Sequence, residues 1–122
     1  NALLKRRLRL ESAPNATDQA RVAATNMLGV KEPYCKVPWF WSDQYELKLQ
    51  MVGFSADGDT SVLRGDKAEN QFAVFYLKND KVVSVDAVNS PKEFMVYKQL
   101  YGKAVDPAAL SDTNVELKTL LN

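Results

Sequence analysis

The sequence predicts an α+β fold in which an antiparallel β-sheet meander of about four to five strands is flanked by helices. Three observations support this class: a helical pattern comes first, strand-like runs separated by turn residues follow, and a second helical pattern comes after them. The 122 residues, of which 46% are hydrophobic and 25% charged, suffice for one core without a disulfide or a metal. We therefore expect helices packed against a single sheet.

The first helix is predicted from about Ser12 to Leu28. Pro14 suits the first turn, and Gly29 suits the residue just beyond the end. Its apolar stripe consists mainly of small side chains: Ala16, Ala20, Ala23 and Met27. Small side chains allow a helix to lie close to a sheet or a cofactor, although close helix packing is the commoner explanation.

Residues 29–45 are predicted to be an irregular connector that is unusually rich in aromatic side chains: Tyr34, Trp39, Phe40, Trp41 and Tyr45. If the segment is extended, alternation places Trp39 and Trp41 on one side and Phe40 on the other. The two indoles could fill the core, which is the more frequent role of large rings. The alternative role is a platform for a flat redox cofactor or a protein partner.

Four strand-like runs follow the connector, at residues 47–51, 61–64, 71–77 and 81–88. The third is apolar on both faces, as a central strand should be. Asn79-Asp80 tolerates the positive φ of a tight hairpin between the third and fourth runs. Together the runs predict an antiparallel meander.

The second helix is predicted to begin after Ser90, with Pro91 in its first turn and Glu93 completing a capping box. We expect it to run to about Tyr101 and to end at Gly102. A last short amphipathic turn is predicted over residues 115–121.

Charge and residue types exclude several classes of function. Sixteen basic and fifteen acidic residues give a net charge of +1, which argues against a nucleic-acid-binding protein. The basic cluster Lys5, Arg6, Arg7 and Arg9 could meet phosphates or anionic lipid, but it is better explained as a solvated arm or the end of a longer segment. There is no histidine and Cys35 is the single cysteine, so we expect no metal site and no catalytic residues of the Ser-His-Asp or Cys-His type.

Neither membrane insertion nor nucleotide binding is predicted. No apolar run is long enough to span a bilayer and no signal peptide is evident, so a cytoplasmic location is expected. The chain begins with Asn1, which suggests an internal segment of a larger protein. Its scattered glycines form no phosphate-binding loop.

The aromatic connector carries a distinctive motif. The stretch Val37-Pro38-Trp39-Phe40-Trp41-Ser42-Asp43-Gln44-Tyr45, preceded by Pro33-Tyr34 and followed by Leu49-Gln50, resembles the C-terminal domain of FAD-dependent ferredoxin reductases of oxygenase systems. The resemblance continues upstream through residues 9–12, 15–16 and 18–21, and downstream through residues 75–77, 85–89 and Phe94. It therefore covers nearly the whole chain.

The resemblance implies a protein that passes electrons from NAD(P)H through FAD to a ferredoxin or rubredoxin. Residues 1–29 would include the last helix of the FAD-binding domain, and residues 30–122 would be the reductase C-terminal domain. It implies that the following residues lie near the flavin: Trp39, Trp41, Asn15, Ala16 and Gln19. It implies that the following residues help to dock the partner: Trp41, Ser42, Asp43 and Gln44.

The domain is expected to act only within a whole reductase. Its partners would be its own FAD- and NAD-binding domains and the ferredoxin or rubredoxin, and the isolated chain should hold no FAD and be inactive. A homodimer of the isolated chain is possible in this interpretation. The competing hypothesis is an interaction or dimerisation module whose tryptophans never meet a flavin.

Overall fold

A computed structural model describes residue 1 and residues 3–121 of the chain. Two compact units are present, Asn1–Phe40 and Trp41–Asn122. The first contains helix α1 and the second contains most of the sheet and the remaining helices. The domain boundary at residue 29 stays a prediction. The division between the two compact units falls within the first strand, between Phe40 and Trp41.

Helix α1 spans Ala13–Met27, which confirms the predicted first helix. The Ser12 hydroxyl accepts a hydrogen bond from the main-chain N–H of Asn15 at 3.3 Å, so Ser12 is the N-cap. Gly29 takes a φ of 92° just beyond the C-terminal end, a conformation that favours glycine. The alanine and methionine stripe is exposed, and the one buried residue of the helix is Val22.

Five antiparallel strands form one sheet: β1 (Trp39–Gln44), β2 (Leu47–Gly53), β3 (Thr60–Asp66), β4 (Gln71–Lys78) and β5 (Lys81–Val88). The α+β class and the four predicted runs are confirmed. The prediction of an irregular connector was wrong at residues 39–44, which form an edge strand next to β2. Residues 39–44 contain no proline, and the large aromatic side chains at residues 39–41 suit a strand.

The strand order is β1-β2-β5-β4-β3. Only β3, β4 and β5 follow one another as a meander, and the β1–β2 hairpin joins the free side of β5. The connection from β2 to β3 therefore passes across the sheet instead of making the predicted next hairpin. Asn79 and Asp80, with φ of 50° and 60°, form the expected tight turn between β4 and β5.

Helix α2 spans Pro91–Leu100 and covers one face of the sheet. On that face the register aligns Val52 with Val85 and Val85 with Phe75, and the Phe75 ring meets Tyr97 of α2 edge-on at 5.0 Å. The fully buried large side chains of this core include Phe75, Phe94, Leu100, Leu110, Val52, Val82 and Val85.

The capping-box prediction for α2 was wrong. Ser90 makes no side-chain cap, and the hydrogen bond that its hydroxyl does make is a donation to the Val88 carbonyl at 3.0 Å. Pro91 does occupy the first turn, and the helix ends at Leu100, one residue before the predicted end.

Arg64 of β3 fastens the C-terminal segment to the sheet. This segment contains α3 (Pro107–Ser111) and a 3₁₀ helix (Leu117–Leu121), close to the predicted turn at 115–121. The guanidinium donates to four carbonyl oxygens, at 3.1, 2.6, 3.4 and 2.9 Å, from Leu110, Asp112, Thr113 and Val115. All four bonds come from one cation, and they add to the burial of Leu110 and Leu117 in the core.

Candidate functional site

The β1–β2 hairpin presents Trp41 at the edge of the sheet, where its side chain is 38% exposed. Asp43 Oδ1 lies 3.4 Å from Lys48 Nζ, so these two side chains share one face of the hairpin. Alternation along β1 then places Trp41 on the same face as Asp43, and Ser42 and Gln44 on the other. The four expected docking residues are thus divided between two faces.

The face that carries Trp41 is the one that α2 covers. Lys48, Gln50 and Val52 alternate along β2 to that side, and Val52 is buried in the core beside Val85. The Trp41 indole is therefore an exposed ring that continues a packed, rigid layer. Such a ring can contact a flat or apolar surface with little loss of conformational entropy.

Two further residues of the hairpin were not singled out as site residues from the sequence. Gln50 Oε1 is the one buried side-chain oxygen or nitrogen without a hydrogen-bond partner among the described residues. It shares the face of Trp41 and becomes a candidate for that reason. No sequence signal selected it, because Gln50 alternates with Leu49 and Met51 and the pattern indicates a solvent-facing polar residue. Tyr45 is 98% exposed at the hairpin tip with a φ of 52°, a conformation that disfavours bulky side chains.

Asn15, Ala16 and Gln19 belong to the first unit, and two of them are held together. Asn15 Oδ1 accepts from Gln19 Nε2 at 3.0 Å and from the Tyr34 hydroxyl at 2.9 Å, and Asn15 Nδ2 donates to the Leu10 carbonyl at 2.8 Å. The Asn15 amide therefore fastens α1 to the chain on both sides of it. Ala16 is exposed, and its amide donates to the Ser12 carbonyl.

Burial raises the pKa of the Tyr34 hydroxyl, and the negative charge of Asp18 raises it further. Tyr34 therefore stays a neutral donor to Asn15. Trp39, at the start of β1, is half-buried. The strand is extended, which is the condition under which Trp39 and Trp41 leave it on the same side.

Asp86 lies on the opposite face of the sheet, and its carboxyl group is partly buried. Burial raises the pKa of Asp86, and a hydrogen bond with the Tyr76 hydroxyl opposes that rise. Asp86 pairs with Met51 and Val74, which alternate away from the α2 face. This pair is remote from the face of Trp41, and the sequence pattern gave no reason to select it.

The described part of the chain, residue 1 and residues 3–121, shows neither a cluster of metal ligands nor a helix that could span a membrane. No group of three or more His, Cys, Asp or Glu side chains there could hold a metal ion. No helix in that part of the chain is both long and apolar enough to cross a bilayer.

The fold and the hairpin define an accessory domain: an antiparallel sheet that presents an aromatic edge and whose sequence contains no nucleotide-binding loop. A family model described as "Reductase C-terminal" matches residues 39–121. The chain belongs to this family.

Two curated relatives are each 45% identical to the chain. One is the 5,5'-dehydrodivanillate O-demethylase ferredoxin reductase subunit of a Sphingobium species, which matches 94% of this chain and 28% of its own length. The other is putidaredoxin reductase of Pseudomonas putida, which matches 98% of this chain and 29% of its own length. The chain therefore spans less than a third of these relatives.

A solved structure supports the same family assignment. The chain superimposes on the reductase of the covalent putidaredoxin reductase–putidaredoxin complex with a TM-score of 0.88 and 45% identity, over 99% of this chain and 30% of that one. The expected resemblance to ferredoxin reductases is confirmed, and it corresponds to their C-terminal domain.

Proposed function

We propose that the chain serves as the C-terminal domain of an FAD-dependent NAD(P)H:ferredoxin oxidoreductase, where it covers the flavin and helps to dock the electron acceptor. The observation that carries the proposal is Trp41, a half-exposed indole on an edge strand of a rigid sheet. The relatives named as ferredoxin reductases, and the relative crystallised in a covalent complex with putidaredoxin, support the acceptor class.

The residues of this chain suit the flat end of a flavin better than its phosphates. Trp41 offers an exposed aromatic plane, whereas the Asn15 amide is occupied by bonds within its own unit. FAD, when bound in the whole reductase, supplies the conversion of a two-electron hydride donor into single electrons. Trp41 would exclude water at the ring, because its exposed indole could lie against it.

For docking, the proposal rests on Trp41 first. Its ring projects on the same face as Asp43, whose charge Lys48 already offsets, so a partner meets an aromatic surface without an uncompensated carboxylate there. Ser42 and Gln44 face the other way and remain predictions, as do Trp39, Ala16 and Gln19 near the flavin. The choice between ferredoxin and rubredoxin, a cytoplasmic location and a homodimer of the isolated chain remain predictions as well.

The test is Trp41→Ala in a reductase that contains this chain joined to FAD- and NAD-binding domains. We expect kcat/KM for the ferredoxin to fall about tenfold or more, because truncating a central aromatic anchor costs that much in an interface. NADH-driven reduction of ferricyanide, a small acceptor that needs no docking surface, should be unchanged if the flavin remains bound.

Phe40→Ala is the matched control, since Phe40 is 41% exposed in the same strand and alternation turns it to the other side. It should leave the kcat/KM for ferredoxin nearly unchanged. Equal effects of the two substitutions, or no effect of Trp41→Ala, would contradict the docking role.

A further inference from the structure

Asn89 stands where β5 ends and the chain turns toward α2. Its φ of 49° departs from the strand, so its backbone carbonyl no longer continues the ladder to β2. The Asn89 side chain replaces that acceptor: Lys48 N–H donates to Asn89 Oδ1 at 2.8 Å, while Asn89 N–H donates to the Lys48 carbonyl at 2.9 Å. The last pair of the β2–β5 ladder is thereby completed by an amide side chain.

The other half of the Asn89 amide is also used. Asn89 Nδ2 donates to the Asn70 carbonyl at 3.0 Å, in the turn that joins β3 to β4. Asn89 therefore joins β2, β5 and the β3–β4 turn through one side chain. Each acceptor and donor is a main-chain group, so the bonds fix backbone positions directly.

Lys48 connects the hydrogen bonds of Asn89 to the candidate functional site. It lies one residue after the start of β2, next to the turn of the β1–β2 hairpin, and its ammonium pairs with Asp43 of β1. β1 is an edge strand, and among the described strands it pairs with β2 alone. The position of Trp41 therefore depends on how firmly β2 is held at Lys48.

We propose that Asn89 is a positioning residue for the Trp41 docking surface, acting through the Lys48 main chain. Without the Asn89 amide, the Lys48 N–H at the end of the ladder loses its acceptor and the β2 end separates from β5. The hairpin then samples more orientations, and Trp41 is presented to the partner in the right one for less of the time. This role rests on the proposed docking function, but the structural part can be tested without any partner.

The first experiment measures the hinge in the chain itself. Asn89→Gly keeps the positive φ and removes both side-chain bonds, whereas Asn89→Asp keeps the acceptor for Lys48 N–H. We expect amide hydrogen exchange at Lys48 to be about fivefold to tenfold faster in Asn89→Gly and nearly unchanged in Asn89→Asp. Exchange at Val52, at the other end of β2, should not change and so reports on global unfolding.

Asn79→Gly is the matched control, because Asn79 has a φ of 50° at the opposite end of β5. Asn79→Gly removes the same type of side chain from the same backbone conformation, in the turn that joins β4 to β5. A second measurement follows Trp41 directly: with Trp39→Phe, Trp41 is the remaining tryptophan of the chain. Its fluorescence anisotropy should decay with a larger nanosecond component in Asn89→Gly than in Asn79→Gly.

The functional experiment uses the whole reductase. Asn89→Gly should raise KM for ferredoxin about threefold to tenfold, with ferricyanide turnover unchanged, and Asn89→Asp should restore the KM. Unchanged Lys48 exchange and Trp41 anisotropy in Asn89→Gly, or the same changes in Asn79→Gly, would overturn the positioning role. If Trp41→Ala leaves KM unaltered, the docking function fails, and the exchange and anisotropy results still decide whether Asn89 holds the hairpin.

Discussion

The two compact units are stabilised in different ways. In the unit that contains the sheet, α2 buries three of its ten residues, Phe94, Tyr97 and Leu100. In the unit that contains α1, the fifteen-residue helix buries only Val22. Met27, the last residue of the helix, and Leu28, the residue after it, are 87% and 86% exposed. Apolar burial, the dominant stabilising term in folding, is therefore concentrated in the sheet unit.

The α1 unit relies on side-chain amides instead. Asn15 binds Leu10, Gln19 and Tyr34, as described above, and Asn26 performs the same task at the other end of the helix. Asn26 Nδ2 donates to the Val22 and Glu32 carbonyls, both at 2.8 Å, and its Oδ1 accepts from Glu32 N–H at 2.8 Å. Each such bond contributes about 1 kcal/mol net, less than burial of a large side chain. Local hydrogen bonds therefore shape α1, whereas tertiary packing stabilises the sheet unit.

The largest test of this difference is truncation of one large apolar side chain in each helix. Phe94→Ala should lower the free energy of unfolding by about 3–5 kcal/mol, because Phe94 is completely buried and leaves a cavity. Met27→Ala should change it by less than about 0.5 kcal/mol, because its side chain already contacts water. Urea unfolding followed by circular dichroism measures both, and similar losses for the two variants would contradict the comparison.

The next effect concerns the polar anchor of the sheet unit. Arg64→Lys should destabilise by about 2 kcal/mol, since an ammonium cannot satisfy four carbonyl oxygens in the geometry of a planar guanidinium. Proteolysis after residue 111 should become faster as the C-terminal segment detaches. Arg7→Lys, at an exposed position of the α1 unit, is the control and should leave both measurements unaltered. Intact protease resistance in Arg64→Lys would show that other contacts hold the segment.

Elements determined by neighbouring residues were predicted well from the sequence. Helix α1 follows from its cap Ser12, its early proline and Gly29, and the tight turn follows from Asn79-Asp80. These signals act within a few residues of the chain, where propensity and capping decide the conformation. The aromatic motif also identified the hairpin as the region of interest before its strand was known.

Features that depend on distant pairing were not predictable in the same way. β2 pairs with β5, so that Leu49 lies opposite Val88. No local signal predicts this pairing, because no turn connects the two strands directly. The Ser90 cap is absent, and the Ser90 hydroxyl instead donates to the Val88 carbonyl, a local bond that competes with capping geometry. Asn89 looked like an ordinary residue between a strand and a helix, because its acceptor role appears only once Lys48 is beside it.

The smallest predicted effect concerns Asp86, a carboxyl held among apolar residues of the sheet unit. Its raised pKa means that the folded state binds this proton more tightly than the unfolded chain does. The stabilising contribution of the protonated form is complete below the ordinary pKa of 3.8 and is lost as pH rises through the folded-state pKa. At pH 7 the group therefore opposes folding.

Asp86→Asn should accordingly raise the thermal midpoint at pH 7 by about 2–4 °C, because the neutral amide needs less hydration and can still accept from the Tyr76 hydroxyl. The gain should shrink as pH falls, since protonation neutralises Asp86 in the parent chain as well. Asp59→Asn removes an equal charge at an exposed position just before β3 and should raise the midpoint less. Calorimetry at pH 7 and near pH 4 measures the difference, and a gain that grows toward acid would mean that the Asp86 carboxylate stabilises the fold.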